Sequence, residues 1–202
     1  EPDTLPAIGQ DKEPSRERFR KSATETFKFA YPPVPSLQGK ARAAAEHPDV
    51  EAIAVLPDAR VILLTKQNDG HATVFRADFD KPETLIERLG VIDLRDDALK
   101  QGLSLRATGA DIDRTGRYLL VRTYFRVYVF DMSNEAFAGG SSLMAPAVAA
   151  QSAIAQAPRV AVVAGLDLQG EAIAWATDGG FWHVSEGVKP PLWRVKCAVA
   201  GK

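Results

Sequence analysis

The sequence contains a single cysteine, Cys197, so no disulfide can form within it. Histidine is scarce as well. His47, His71 and His183 form no H-x-x-H or H-x-x-x-H pair, which leaves zinc without a ligand pattern. Surplus charge is missing: 25 Lys and Arg against 26 Asp and Glu give a formal net charge of -1. No global basic field therefore draws the chain to nucleic acid or to an anionic membrane surface. No apolar run approaches the roughly 18 residues that a membrane span needs. The longest low-polarity tract, residues 137–158, is interrupted by Gly, Ser, Gln and Pro and reads as a loop or a short helix. There is no G-x-S-x-G elbow, Walker A loop or G-x-G-x-x-G, the signals for a nucleophilic serine, a nucleotide and a dinucleotide.

What is present suits an ordinary globular protein: 202 residues, 46% hydrophobic and 25% charged, enough for a full hydrophobic core. Glu1 followed by "PDTLP" reads as the start of a mature chain after removal of a secretion signal, or of a trimmed one. Cys197, in "WRVKCAV", reads as a small buried apolar residue, and Tyr128, Trp175, Trp182 and Trp193 read as core aromatics.

Three stretches share one design: "VEAIAVLPDARVILLTK" from residue 50, "TGADIDRTGRYLLVRTY" from 108 and "GEAIAWATDGGFWHVSEG" from 170. Aligned on Ile53, Ile112 and Ile173, they recur with a period near 60 residues. With one residue fewer in the middle turn, Thr65, Thr123 and Ser185 fall in one hydroxyl column. A further apolar segment follows each copy, at 72–79, 126–133 and 191–198, and fourth strands are expected at 84–94 and 159–168. Each segment is rich in Val, Ile, Leu and aromatics, and the joints "PDAR", "DRTG", "TDGG" and "NDG" carry hairpin turn chemistry. Four antiparallel strands repeated around an axis make a propeller blade. The expected fold is therefore all-β, a β-propeller of four-stranded antiparallel blades, with repeats near 50–94, 108–168 and 169–198. Residues 26–202 form the blades, and 1–25 form a polar lead-in or the remnant of a preceding blade. A strand is expected at 26–31 and one helical turn within 35–49. Three blades close no ring, so the expectation is either further blades in a longer chain, a homodimer that completes the ring, or an open three-sheet stack.

Two columns hold the candidate chemistry. Glu51 and Glu171 stand two residues before the aligned isoleucines, with Ala110 and Asp111 in the middle copy. Carboxylates converging at a channel mouth suit a hard cation such as Ca²⁺, so Glu51, Asp111 and Glu171 are the candidate metal ligands. The same cluster could hold a metal-activated water. The alternative is that each carboxylate caps a turn or pairs with a basic neighbour. The second column, Lys66, Arg122 with Tyr124, and Glu186, flanks the hydroxyls. Arg122 and Lys66 suit an anionic ligand, or Arg122 pairs with Asp111 or Glu171 between blades. The stretch "DIDRTG" matches only half of a calcium loop and reads as a hairpin turn.

The phrases "HPDVEAIAV", "TGADIDRTGRYLLVRTYFRVYVF" and "QGEAIAWATDGGFWHVSEG" with "PPLWRV" resemble a family of bacterial secreted β-propeller proteins. That family is similar in turn to phytase-like and esterase-like propellers, and the likeness spans residues 26–195. A "GDN"-type acidic turn expected ahead of the first copy is absent here, and complete members are longer. The resemblance implies a secreted or periplasmic protein. The expected function is a binding scaffold for a protein or small anionic ligand, met at the channel face by Glu51, Asp111, Arg122, Tyr124, Glu171 and Glu186. The alternative from the same resemblance is a calcium-dependent phytase-like or esterase-like hydrolase.

Overall fold

The computed structural model describes residues 31, 48–78, 86–95, 105–133, 142–144, 146, 154, 157–163 and 169–197. The expected lead-in at 1–25 lies outside them. So do the strand at 26–31 apart from Tyr31, and the helical turn at 35–49 apart from its last two residues.

The described chain is all-β and antiparallel. Sheet 1 runs β1 (Val50–Val55), β2 (Val61–Thr65), β3 (His71–Ala77) and β4 (Glu87–Asp93) in sequence order. Sheet 2 repeats that order with β5 (Ala107–Ile112), β6 (Tyr118–Thr123), β7 (Arg126–Asp131) and β8 (Arg159–Val163). Sheet 3 holds β9 (Gly170–Trp175), β10 (Phe181–Ser185) and β11 (Leu192–Val195). The described residues close no ring, and no helix among them is long and apolar enough to cross a membrane.

The sheets stack through their apolar faces. Ala52, Ala54, Ile62 and Leu64 of sheet 1 share one core with Ala110, Ile112, Leu119 and Val121 of sheet 2. A second core joins Leu120 and Val127 of sheet 2 to Ile173 and Phe181 of sheet 3. The first strands sit side by side, β1 against β5 and β5 against β9. The burial patterns follow from this order. Strand β6, inside the stack, is buried at every position but its first, whereas β1 and β9 at its two sides expose alternate residues. Period-two alternation is the signature of a strand with one buried face.

Tight hairpins join the first two strands of each sheet, and their hydrogen bonds fix the register. Leu56 N–H donates to Arg60 O (2.8 Å) and Ala176 N–H to Gly180 O (2.7 Å), but Asp113 N–H donates to Tyr118 O (3.1 Å). The middle turn is thus one residue longer than the others, not one shorter. The ladder pairs Ile53 with Leu63, Ala110 with Val121 and Ile173 with His183, while Ile112 pairs with Leu119 as Val55 does with Val61. Ala110, not Ile112, corresponds to Ile53 and Ile173. The hydroxyl column stands: Thr65, Thr123 and Ser185 pair with Val50, Ala107 and Gly170. Thr65 Oγ1 accepts from Thr73 N–H (2.9 Å) and Thr123 Oγ1 from Arg126 N–H (3.1 Å), so these hydroxyls tie the second strand to the third.

Two expectations about single residues are corrected. Cys197 is exposed, two residues past the end of β11 where no sheet covers it. Of the aromatics, Tyr128 is fully buried and Trp175 half-buried, but Trp182 and Trp193 are exposed because they lie on sheet 3, the end of the stack.

Candidate functional site

Each first strand carries a β-bulge at its second residue. The ladder skips between Val50 and Ala52, between Ala107 and Gly109, and where Ser185 and Val184 face Gly170 and Ala172. The bulged residues are Glu51, Thr108 and Glu171. A bulge turns its extra side chain out of the regular pleat and bends the strand. The residues that follow the hydroxyl column, Lys66, Tyr124 and Glu186, stand at the same end of the three hairpins. Each hairpin thus delivers two side chains to the end where β1, β5 and β9 begin.

These side chains engage one another. Lys66 Nζ meets Glu51 Oε2 at 2.5 Å and lies 5.3 Å from the Tyr124 ring centroid. Burial works against the Lys66 charge, but hydrogen bonds to Glu51 and to Tyr124 outweigh it and raise its pKa above the usual lysine value. Glu171 is shifted up. Burial is the largest cause and Lys66 opposes it, while Glu186 and Glu51 push the carboxyl further up and Arg122 pulls it down. Charged groups from all three sheets therefore act on one carboxyl.

Arg122 lies beneath this cluster, fully buried, on β6 where Gly109 is its ladder partner. Its guanidinium occupies the space that a Cβ on Gly170 would need. Gly170 is held in place from both sides, its N–H donating to Tyr124 O (3.1 Å) and its carbonyl accepting from Thr108 Oγ1 (2.6 Å). A Cβ on Gly109 would in turn collide with the carbonyl oxygen of Glu171. Two glycines therefore let β5, β9 and the buried arginine approach more closely than any side chain would allow.

Of the residues singled out in the sequence, Glu51, Arg122, Tyr124, Glu171 and Glu186 come together, with Lys66 at their centre. Asp111 does not join them. It lies three residues beyond the bulge, roughly 10 Å along the strand. Its Oδ2 accepts from Trp175 N–H (2.7 Å) and its Oδ1 from Ile112 N–H (2.8 Å), which pins the end of β9 to β5. Among the described residues no group of three or more His, Cys, Asp or Glu is placed to hold a metal ion. Thr108 is the site residue that sequence reasoning missed. It took the place of Ala110 once the middle copy was shifted by two. No protein-family model matches the chain, and no curated protein matches it.

Two outcomes follow from this geometry. Asp111→Ala strands the Trp175 amide and is expected to cost about 1–3 kcal/mol in chemical denaturation, with Glu171 titrating as before. For Glu171, the raised pKa means that the folded state holds its proton to higher pH than the unfolded chain does. Stability is therefore lost as pH rises from the ordinary glutamate value through the raised one. Glu171→Gln is expected to raise the melting temperature at neutral pH, with no gain below the ordinary glutamate range. Asp93 and Asp131 are held down to about 2, foremost by hydrogen bonds from Arg95 and Arg117. Their stabilisation is lost only in stronger acid, so the two effects separate on the pH axis.

Proposed function

We propose that the three sheets are repeated blades of an antiparallel β-propeller and that the chain is a secreted or periplasmic binding scaffold. The observation that carries this reading is the delivery of two side chains per hairpin to one end of the stack: Glu51 with Lys66, Thr108 with Tyr124, Glu171 with Glu186. Adjacent first strands are what a propeller places around its channel. The likeness of "TGADI" with "RTY" and "QGEAIA" with "SEG" to secreted bacterial propellers supports the location.

The fitting ligand is a protein surface. Lys66 is already engaged by Glu51 and Tyr124, so a small anion would have to compete with a carboxylate for it. Beside Glu186, in the loop that follows β10, Val188 is 96% exposed and offers an apolar contact at the edge of the charged cluster. An apolar point rimmed by polar groups is the ordinary make-up of a transient protein interface.

The test is capture from the secreted or periplasmic fraction of the source organism by the wild-type chain and by Lys66→Met and Val188→Ser. Partners held by the wild type and released by both variants support the scaffold. Capture that neither variant alters contradicts it. Calcium binding by calorimetry that vanishes in Glu171→Gln would instead favour the calcium-dependent hydrolase.

A further inference from the structure

At the two ends of the stack the first strands, β1 and β9, present exposed apolar residues that match an interface already made inside the chain. Sheet 1 presents Ala52 and Ala54 to sheet 2, and sheet 3 carries Ala172 and Ala174 at the corresponding positions of its outer, exposed face. Conversely, the face by which sheet 3 packs on sheet 2 carries Ile173. The corresponding residue of sheet 1 is Ile53, which is 54% exposed, with Val55 beside it at 59%. Further out on that face Val61, Leu63 and Phe75 are buried, with Tyr31 packed against them, so its exposed part is the first strand with Ile53 and Val55. Opposite, Trp182 and Leu192 are exposed at 38% and 65% on the outer face of sheet 3.

Charge points the same way. Within the chain Lys66 reaches Tyr124, the side chain at its own position in the next sheet. By the same step, Glu186 of sheet 3 would reach Lys66 of a sheet 1 stacked upon it. The acidic end of the cluster would then meet a cation, and the site would gain a residue that one copy does not provide on that side.

We infer that two copies of this chain associate head to tail, the outer face of sheet 3 in each docking on the exposed first strand of sheet 1 in the other. This rests on the propeller reading. The three described sheets of each of two copies make six, within the range of about four to eight that propellers typically close, and a head-to-tail contact that closes under rotation ends in a ring rather than a filament.

The test is light scattering on the full 202-residue chain. The expected mass is twice the chain's 21.9 kDa. Ile53→Asp and Trp182→Asp, both at exposed positions, are each expected to give a monomer. An equimolar mixture of the two is expected to regain dimer, since each supplies the face that the other lacks. A wild-type mass of 21.9 kDa at all concentrations overturns the inference, as does a dimer indifferent to both substitutions or a mixture that stays monomeric. A monomer that still captures partners through Lys66 and Val188 loses this interface but keeps the scaffold. A dimer whose capture ignores those residues does the reverse.

Discussion

Gly109→Ala is expected to destabilise the chain by about 3 kcal/mol, the upper end of the usual range for overpacking. The added Cβ would collide with the carbonyl oxygen of Glu171, which belongs to the backbone of β9. A side chain can change rotamer to make room, but a strand held by its ladder cannot. Relief therefore requires β5 and β9 to separate, and that opens both the Thr108–Gly170 hydrogen bond and the core around Ile173. Gly179→Ala is the appropriate comparison. Gly179 has φ of 86° and nothing within 4 Å of its Cβ position, so alanine there meets only backbone strain of about 1–2 kcal/mol. Urea denaturation midpoints for the two variants decide the matter. Equal losses would mean that the first strands do not approach as closely as described.

Arg122→Met is expected to cost a further-reaching 3 kcal/mol or so, the scale of removing one partner from a buried charged arrangement. Methionine fills much of the volume but removes the cation that lies fully buried between sheets 2 and 3. Because Arg122 acts to lower the pKa of Glu171, its removal is also expected to raise that pKa further. The two effects share one origin. Adding Glu171→Gln to Arg122→Met should therefore recover part of the lost stability, by more than Glu171→Gln gains alone. Arg122→Lys should not match the wild type, since a compact ammonium lacks the planar fork that fills the space over Gly170. If the double variant is simply additive, Arg122 contributes by packing and not through the carboxyl.

The sequence made some of this legible and concealed the rest for identifiable reasons. The antiparallel all-β class is readable from short apolar segments punctuated by "PDAR", "DRTG" and "TDGG". Thr65, Thr123 and Ser185 are readable as a column because each closes the apolar run that follows its turn, Thr65 and Ser185 each standing twelve residues after Ile53 and Ile173. The middle register is not readable. Side chains alternate with period two, so sliding Ile112 onto Ile53 moves the strand by two residues and leaves every side chain on its original face. Apolar patterning is blind to such a slip, and it took the hydrogen bond from Asp113 to Tyr118 to expose it. The slip had consequences for the site. It placed Asp111 near the glutamates and hid Thr108, although Thr108 lies at the same bulge as Glu51 and Glu171. Bulges leave no mark in the hydrophobic pattern. Gly109 and Gly170 were equally silent, because a glycine that allows close approach reads the same as one that only allows a turn.

The most direct measurement is the pKa of Glu171, read by NMR of side-chain-labelled glutamate in the wild type and in Glu51→Gln. Glu51 belongs to sheet 1 and Glu171 to sheet 3, so the two sense each other only if the bulged first strands gather at one end of the stack. The expected result is a Glu171 pKa above the ordinary glutamate value that falls in Glu51→Gln, since the substitution removes a repelling carboxylate and leaves the attracting Lys66 in place. An ordinary pKa, unmoved by Glu51→Gln, would contradict the convergence of the three hairpins on a single site.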